Sequence, residues 1–531
     1  MPFKKLIILF FCSSILFYSC RKELEKPSWD TQLLAPLINA SMSINNILPD
    51  SILQANADST MKIVFQNDIY NLSMDTLFQI PDTILRNSYT LPFAFTLNPG
   101  QNLVNNNVTE TTYQIQDVQL RTTTIKSGFV TYKVISKVKE VVDFVYSIPC
   151  AKKNGIPFSI NVSVPAANGT VPGVYNQTFD LSGYEISLTG IQNNRVNTIY
   201  TSLSATISPN GNPVAVAPVD SLIIENKFLD IIPLYAKGYF GNNTFNIGPE
   251  TSNFDLFNKI TDGTIQLEDV NFNLKLENPI GLDARVIINN LSSINSRTNT
   301  TINLSNSVIN SPININRASE YNGTIYPTYA NYPLTVNNSN IKPMIENLPD
   351  KFGYNLQITT NPLGNVSGSN DFIYIDRLLK ASLDMEIPLS LIATNLTLSD
   401  TVDFNISSNN GEQNIKSGIL TLFASNGFPF DATVQMYTLN ENNTITDSVL
   451  GYANTIDEAP INSNYKAIGK KLTKISIPLN ESKINLLYNT KKIILKIKFN
   501  TAAQPNYIKI YSNYSIDVRV VGDFNYTIKL R

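Results

Sequence analysis

The sequence predicts an all-β chain built as two to three tandem β-sandwich-like domains. Three observations point there. Charged residues are sparse, at 15%, while hydrophobic residues reach 43%; a chain so rich in β-branched and aromatic residues favours sheet. Apolar and polar residues alternate over many short runs, the period of a half-buried strand. Helical signals are few, and the 531 residues exceed what one ordinary hydrophobic core organises.

The elements follow in chain order. Met1 to Cys20 opens on Lys4 and Lys5 and runs apolar from Leu6 to about Phe17. It has the length of a signal peptide and is short for a membrane span of roughly 20 residues. A charged tether follows at Cys20. In "SWDTQLLAPLINASMSINNIL", Trp29, Leu33, Leu34, Leu37 and Ile38 are placed to form one or two amphipathic helical turns. Strand patterning then dominates: "MKIVF", "FVTYKVISKV", "PFSINVSV", "TIQLEDVNFNLKLEN", "LDARVIINNL", "IILKIKF" and the stretch from Tyr507 onward. The step from Leu267 to Val270 breaks the alternation and reads as a bulge. Two short helices are expected. One is in "SNIKPMIENLPDKFGY", capped by Ser339 or Asn340 and stopped before Pro349; the other is in "LNESKINLLYN", capped by Asn480.

Three stretches share a frame beginning at Ser127, Asp262 and Ser417, with a turn glycine at Gly128, Gly263 and Gly418 followed by a strand. Starts about 135 and 155 residues apart match the size of one domain. The division expected is 1–19 signal peptide, 20–33 tether, then sandwiches at 34–205, 206–335 and 336–531.

"FYSC", Phe17 to Cys20, resembles the lipobox of bacterial lipoproteins. Tyr18 stands where that pattern usually has Ala, Ser or Gly. The resemblance implies cleavage before Cys20, acylation of Cys20, and anchoring in a bacterial outer membrane of the Bacteroidota type. "RKELEK" after Cys20 resembles, in part, that phylum's signal for export to the outer face, leaving cell surface and periplasmic face both open. "LENPIGLDARVIIN" and "TTNPLGNVSG" resemble the Asn-Pro strand turn of late-embryogenesis-abundant, water-stress-type sandwiches. An elongated lipid-binding sandwich of the bactericidal/permeability-increasing type is the competing likeness. Asp-(Ser/Thr)-(apolar or Thr) triplets resemble the O-glycosylation sequon of exported Bacteroidota proteins. They nominate Ser51, Ser59, Thr76, Thr83, Ser221, Thr401 and Ser448; an Asp turn before a strand explains some of them equally well.

Catalytic classes are narrowed by composition. The chain has no histidine, which excludes a Ser-His-Asp triad, a Cys-His pair and an HExxH zinc site. Cys12 lies in the leader and Cys20 is assigned to acylation, so Cys150 has no partner for an intrachain disulfide. Loss of Lys4 and Lys5 with the leader takes the net charge from −2 to −4, against a nucleic-acid partner. No cofactor or metal motif stands out; "SNDFIYID" and "NENNTITDS" read as polar loops. Glu250, Asp255, Asp262, Glu268 and Asp269 are carboxylates without a surrounding motif. Among 25 Tyr and 26 Phe, "YPTYANYP" is the richest cluster, and Tyr326, Tyr329 and Tyr332 on a loop are candidate contacts for a sugar or protein. The function expected is non-catalytic binding or scaffolding of a glycan or an outer-membrane protein partner from a lipid anchor on Cys20. A carboxylate-dependent carbohydrate-active enzyme and a lipid-binding sandwich are the alternatives.

Overall fold

The computed structural model describes residues 28–44, 51–72, 80–115, 117–403, 415–450 and 454–529. Their regular structure is almost entirely strand, with short helices at Ile341–Glu346 and Glu481–Tyr488. They group into two compact units, each gathered from separate stretches. One draws on the described residues within 28–63, 258–268 and 388–529, the other on those within 64–257 and 269–387.

The first unit is a sandwich. One sheet runs in the order Ser28–Ser43, Ser515–Lys529, Ile415–Asn426, Lys471–Leu479. The other centres on Ile260–Leu267, Ser390–Asp403, Lys492–Thr501 and Phe430–Leu439. Inward residues alternate, as at Ile475, Ile477 and Leu479. With Ala424 and Phe524 they meet Ala432, Val434 and Phe499 of the facing sheet. Helix Glu481–Tyr488 adds Ile484 and Leu487 to this core. Its expected cap is present, the Asn480 side chain accepting from Lys483 N at 2.9 Å.

The second unit holds a ten-stranded sheet whose main path is Asp371–Tyr374, Leu222–Tyr239, Gln119–Ser136, Glu185–Ser187, Val142–Lys153, Thr198–Ile207, Asn102–Thr112. Thr83–Tyr89 pairs with the first half of Leu222–Tyr239. The sheet folds back on itself. Tyr132 pairs with Asn226 and Gln177, Tyr146 with Leu203 and Ile160, yet the two rings stack at 4.7 Å across the interior. Two further sheets meet through Phe254, which contacts Phe65 and Phe352 at ring separations of 5.8 and 4.9 Å. One is built on Thr244–Asn253, Lys351–Thr360 and Ala284–Asn295, the other on Lys380–Pro388, Asn271–Asn278 and Thr328–Leu334. Strand pairing in this unit joins residues from all three of the segments expected from the sequence, since Leu222–Tyr239 pairs with both Gln119–Ser136 and Asp371–Tyr374.

Several local expectations are corrected. Ser28–Ser43 forms a strand rather than helical turns, laddered against Ser515–Lys529 with an irregularity between Pro36 and Ile38. A long ladder pairs main-chain groups along its length, whereas one or two isolated helical turns are marginal. Gly128, Gly263 and Gly418 lie inside strands rather than in turns. Each sits by a register irregularity in the paired strands, where a side chain would meet neighbouring backbone. The phase break from Leu267 to Val270 is the end of one strand and the approach to another in a different sheet. There Asp269 caps the turn, accepting from Val270 N at 2.9 Å. The Asn-Pro turns do end strands: Asn271–Asn278 stops before Pro279, and Lys351–Thr360 stops at Asn361 before Pro362.

Candidate functional site

"YPTYANYP" is not a loop. It contributes to the hairpin Ser319–Tyr321/Thr324–Tyr326 and to the strand Thr328–Leu334. The hairpin turns on Asn322-Gly323, both at positive φ (49° and 74°), the turn whose twist suits a two-residue connection. Pairing is Ser319 to Tyr326, Glu320 to Ile325 and Tyr321 to Thr324. Alternation sends Glu320 and Ile325 inward and leaves Tyr321 and Tyr326 on the outer face, 70% and 54% exposed.

The inward face is clamped. Tyr374 donates to Glu320 Oε1 at 2.7 Å and Tyr235 to Oε2 at 3.2 Å. The two rings lie 4.7 Å apart, beside Ala318, Ile325 and Phe372. Burial, then the Glu320 carboxylate, raises both phenols, Tyr374 to about 12. Both hydroxyls therefore stay protonated as donors through the physiological range, and they tie the hairpin's inward face to the strands carrying Tyr235 and Tyr374. Tyr354 and Glu250 form a similar pair at 3.0 Å.

Tyr329 is 48% exposed, with Lys275 Nζ 4.8 Å from its ring centre. Tyr332 does not join it. Three residues along a strand reverse the face, and Tyr332 is half-buried opposite Leu274, whereas Tyr329 is paired with Glu277. The outer aromatic set is therefore Tyr321, Tyr326 and Tyr329. Sequence reading missed Tyr321 because only the hairpin register puts it beside Tyr326. A cleft of about 450 Å³ opens on the inward side of the hairpin, lined by Ile325 and Pro327 and by Glu277, Asp376, Arg377 and Lys380; Glu277 is the strand partner of Tyr329, but none of the three tyrosines lines it.

Several carboxylates elsewhere are engaged by neighbouring groups. Arg317 bridges Asp283 Oδ2 at 2.6 Å and Asp371 Oδ1 at 3.1 Å. Asp371 is 1% exposed and also accepts from Asn361 at 2.8 Å. Burial raises its pKa, outweighing these partners. For Asp283, burial is the largest single influence, but the Arg317 hydrogen bonds and charge together hold it low. Asp262 accepts from Gly263 N and Glu268 from Ser390 Oγ. Asp255 opens a short 3₁₀ turn. Among the described residues no group of three His, Cys, Asp or Glu side chains is disposed to hold a metal.

Cys20 and Thr76 lie outside the described residues. Ser51, Ser59 and Thr401 are exposed, Thr83 and Ser448 are half-buried, and Ser221 is buried. Several triplet aspartates shape turns: Asp58 accepts from Thr60 N at 3.0 Å, Asp220 from Ala217 N at 2.8 Å and Asp447 from Ser448 N at 2.7 Å. Cys150 is 6% exposed, its thiol held 3.4 Å from Tyr200 O and pushed up in pKa by burial, the reverse of an activated nucleophile. No helix among the described residues is long and apolar enough to cross a membrane.

No family model matches the chain, and no curated protein matches it. Among solved structures, a Parabacteroides distasonis protein assigned as secreted aligns at TM-score 0.25 and 11% identity, over 54% of this chain and 87% of that one. Capsid protein VP2 of infectious bursal disease virus, as a subviral particle, aligns at TM-score 0.12 and 10% identity, over 86% and 84%. Overlaps this shallow assign neither fold nor function.

Proposed function

We propose that the chain is a lipid-anchored envelope protein that binds glycan without catalysing its cleavage, held to an outer membrane through Cys20. The observation that carries the binding role is the hairpin presenting Tyr321 and Tyr326 outward, with Tyr329 on the strand that follows. Amphipathic rings on a fixed backbone give contact area at small entropic cost, and their faces suit the apolar faces of sugars.

The test is a glycan array followed by titration of the strongest ligand against Tyr321→Ala, Tyr326→Ala and Tyr329→Ala. Each truncation is expected to weaken binding by roughly 1–3 kcal/mol, the scale of a lost aromatic anchor, with unchanged thermal stability. Full affinity in all three variants would overturn the assignment of this surface.

A further inference from the structure

The strand Ser28–Ser43 forms one edge of the first unit's four-stranded sheet. Among the described residues it pairs on one side only, with Ser515–Lys529. That register assigns its faces. Leu33 stands opposite Phe524 and Met42 opposite Ile516, residues of the core or packed against it, and alternation puts Trp29 on the same side as Leu33. Yet Trp29, Leu33 and Met42 are 48%, 43% and 39% exposed, whereas Phe524 is 8%. The facing sheet therefore covers the second strand and stops short of the edge strand. Leu34, on the outer side opposite Asp523, is 71% exposed. The strand thus shows apolar groups on both faces near its start. Its one charged residue, Asp30, is engaged: it accepts from Thr527 Oγ1 at 2.6 Å, with Lys416 Nζ 3.7 Å away.

Two occupants suit such an edge, a further strand or a lipid surface. Strand addition relies on a continuous row of backbone donors and acceptors. Here Pro36 has no N–H and the register shifts between Pro36 and Ile38, both of them devices that blunt an edge against pairing. A lipid surface makes no such demand. At headgroup depth the edge's backbone groups keep their water, whereas in hydrocarbon they would lose it, so contact stops at the interface. Tryptophan is suited to that depth, its ring in apolar surroundings and its N–H in polar ones, and Trp29 is the one tryptophan of the chain. Position agrees with composition. Trp29 lies nine residues after Cys20, at most about 30 Å of fully extended chain. An anchor at Cys20 therefore confines this end of the strand to the neighbourhood of a bilayer, and a weak contact is then made at high effective concentration.

We propose that the edge strand Ser28–Ser43 rests its Trp29–Leu34 end on the bilayer interface, giving the first unit a preferred orientation at the membrane. The inference rests on Cys20 as the point of attachment and is independent of the tyrosine hairpin. For the test, the chain beginning at Cys20 is coupled through that thiol to maleimide-headgroup phospholipid in phosphatidylethanolamine–phosphatidylglycerol vesicles; Cys150, 6% exposed, is shielded from the reagent. Trp29 is the probe. Its fluorescence is expected to shift to the blue on coupling, and to lose intensity when lipids brominated near the headgroup end of their acyl chains replace the ordinary ones. Leu34→Glu should reverse much of both changes without lowering thermal stability. Leu472→Glu, at a leucine 63% exposed on the opposite edge strand of the same sheet, should leave both intact. Three results overturn the proposal. Trp29 of the coupled chain emits as in the free chain and is not quenched; Leu34→Glu and Leu472→Glu act alike; or the blue shift appears without lipid as the chain is concentrated, which assigns the edge to a second copy. Because coupling supplies the anchor, these outcomes report on the strand alone, while acylation of Cys20 in cells is read separately by palmitate labelling.

Discussion

At the scale of single residues, Arg317 is the point on which the second unit's polar interior turns. It neutralises a carboxylate that is 1% exposed, Asp371, and ties it to Asp283. Removing one partner of such a group leaves a buried charge unpaired. Arg317→Met is therefore expected to destabilise the protein by about 3–5 kcal/mol near neutral pH, read from urea midpoints. The pH dependence has a definite sign. Asp283, held low, contributes stability that is present above the ordinary carboxylate range and lost as pH falls through its folded value. Asp371, held high, contributes in the opposite sense, favouring the fold below that range and losing its contribution as pH rises through its folded value. Without Arg317 the unpaired Asp371 dominates, so acidification, which protonates it, should narrow the gap between variant and wild type. A gap that stayed constant from pH 7 to pH 4 would refute this account of the network.

At the scale of elements, the strands depend on a few positions where backbone approaches backbone. Gly263 lies at φ +89°, and a Cβ there would sit 2.2 Å from Asn395 O. Gly100, at φ +84°, would meet nothing within 4 Å. The pair separates two effects. Gly100→Ala should cost only the conformational penalty, about 1–3 kcal/mol. Gly263→Ala should cost distinctly more, because Asn395 O belongs to the paired strand and cannot rotate away. Equal losses in thermal unfolding would show that the ladder around Gly263 yields more easily than its geometry implies. Elements were the most legible feature of the sequence. Alternation located strands such as Ile156–Val164, read from "PFSINVSV", and Asn480 announced its helix. The segment at Trp29 misled because the spacing of Trp29, Leu33, Leu34, Leu37 and Ile38 describes a local preference, while its pairing partner, Ser515–Lys529, lies far along the chain.

At the scale of the whole molecule, the anchor and the two compact units belong to different kinds of inference. Acylation is proposed from the leader, and it sets where the binding surfaces work. Several acyl chains, at about 0.8 kcal/mol per buried methylene, would hold the protein stably to a bilayer. Metabolic labelling with a palmitate analogue should mark the native chain and fail to mark Cys20→Ala. Equal labelling of both would remove the anchor. The candidate tyrosines were legible only in part. "YPTYANYP" drew attention to Tyr326 and Tyr329, but it grouped them with Tyr332, which the strand turns to the other face, and omitted Tyr321, which the hairpin brings round.

The sequence by itself determined the fold class, the absence of histidine chemistry and the position of many strands, since each follows from composition or from patterns a few residues long. Tertiary structure alone decided which strands pair, which faces of them are buried, and that a sheet folds back so that the Tyr132 and Tyr146 rings stack. Those outcomes depend on contacts between residues far apart in the chain, such as Tyr132 with Asn226 or Trp29 with Ile528. A period of two says that a strand has two faces, but only its partners decide which one meets water.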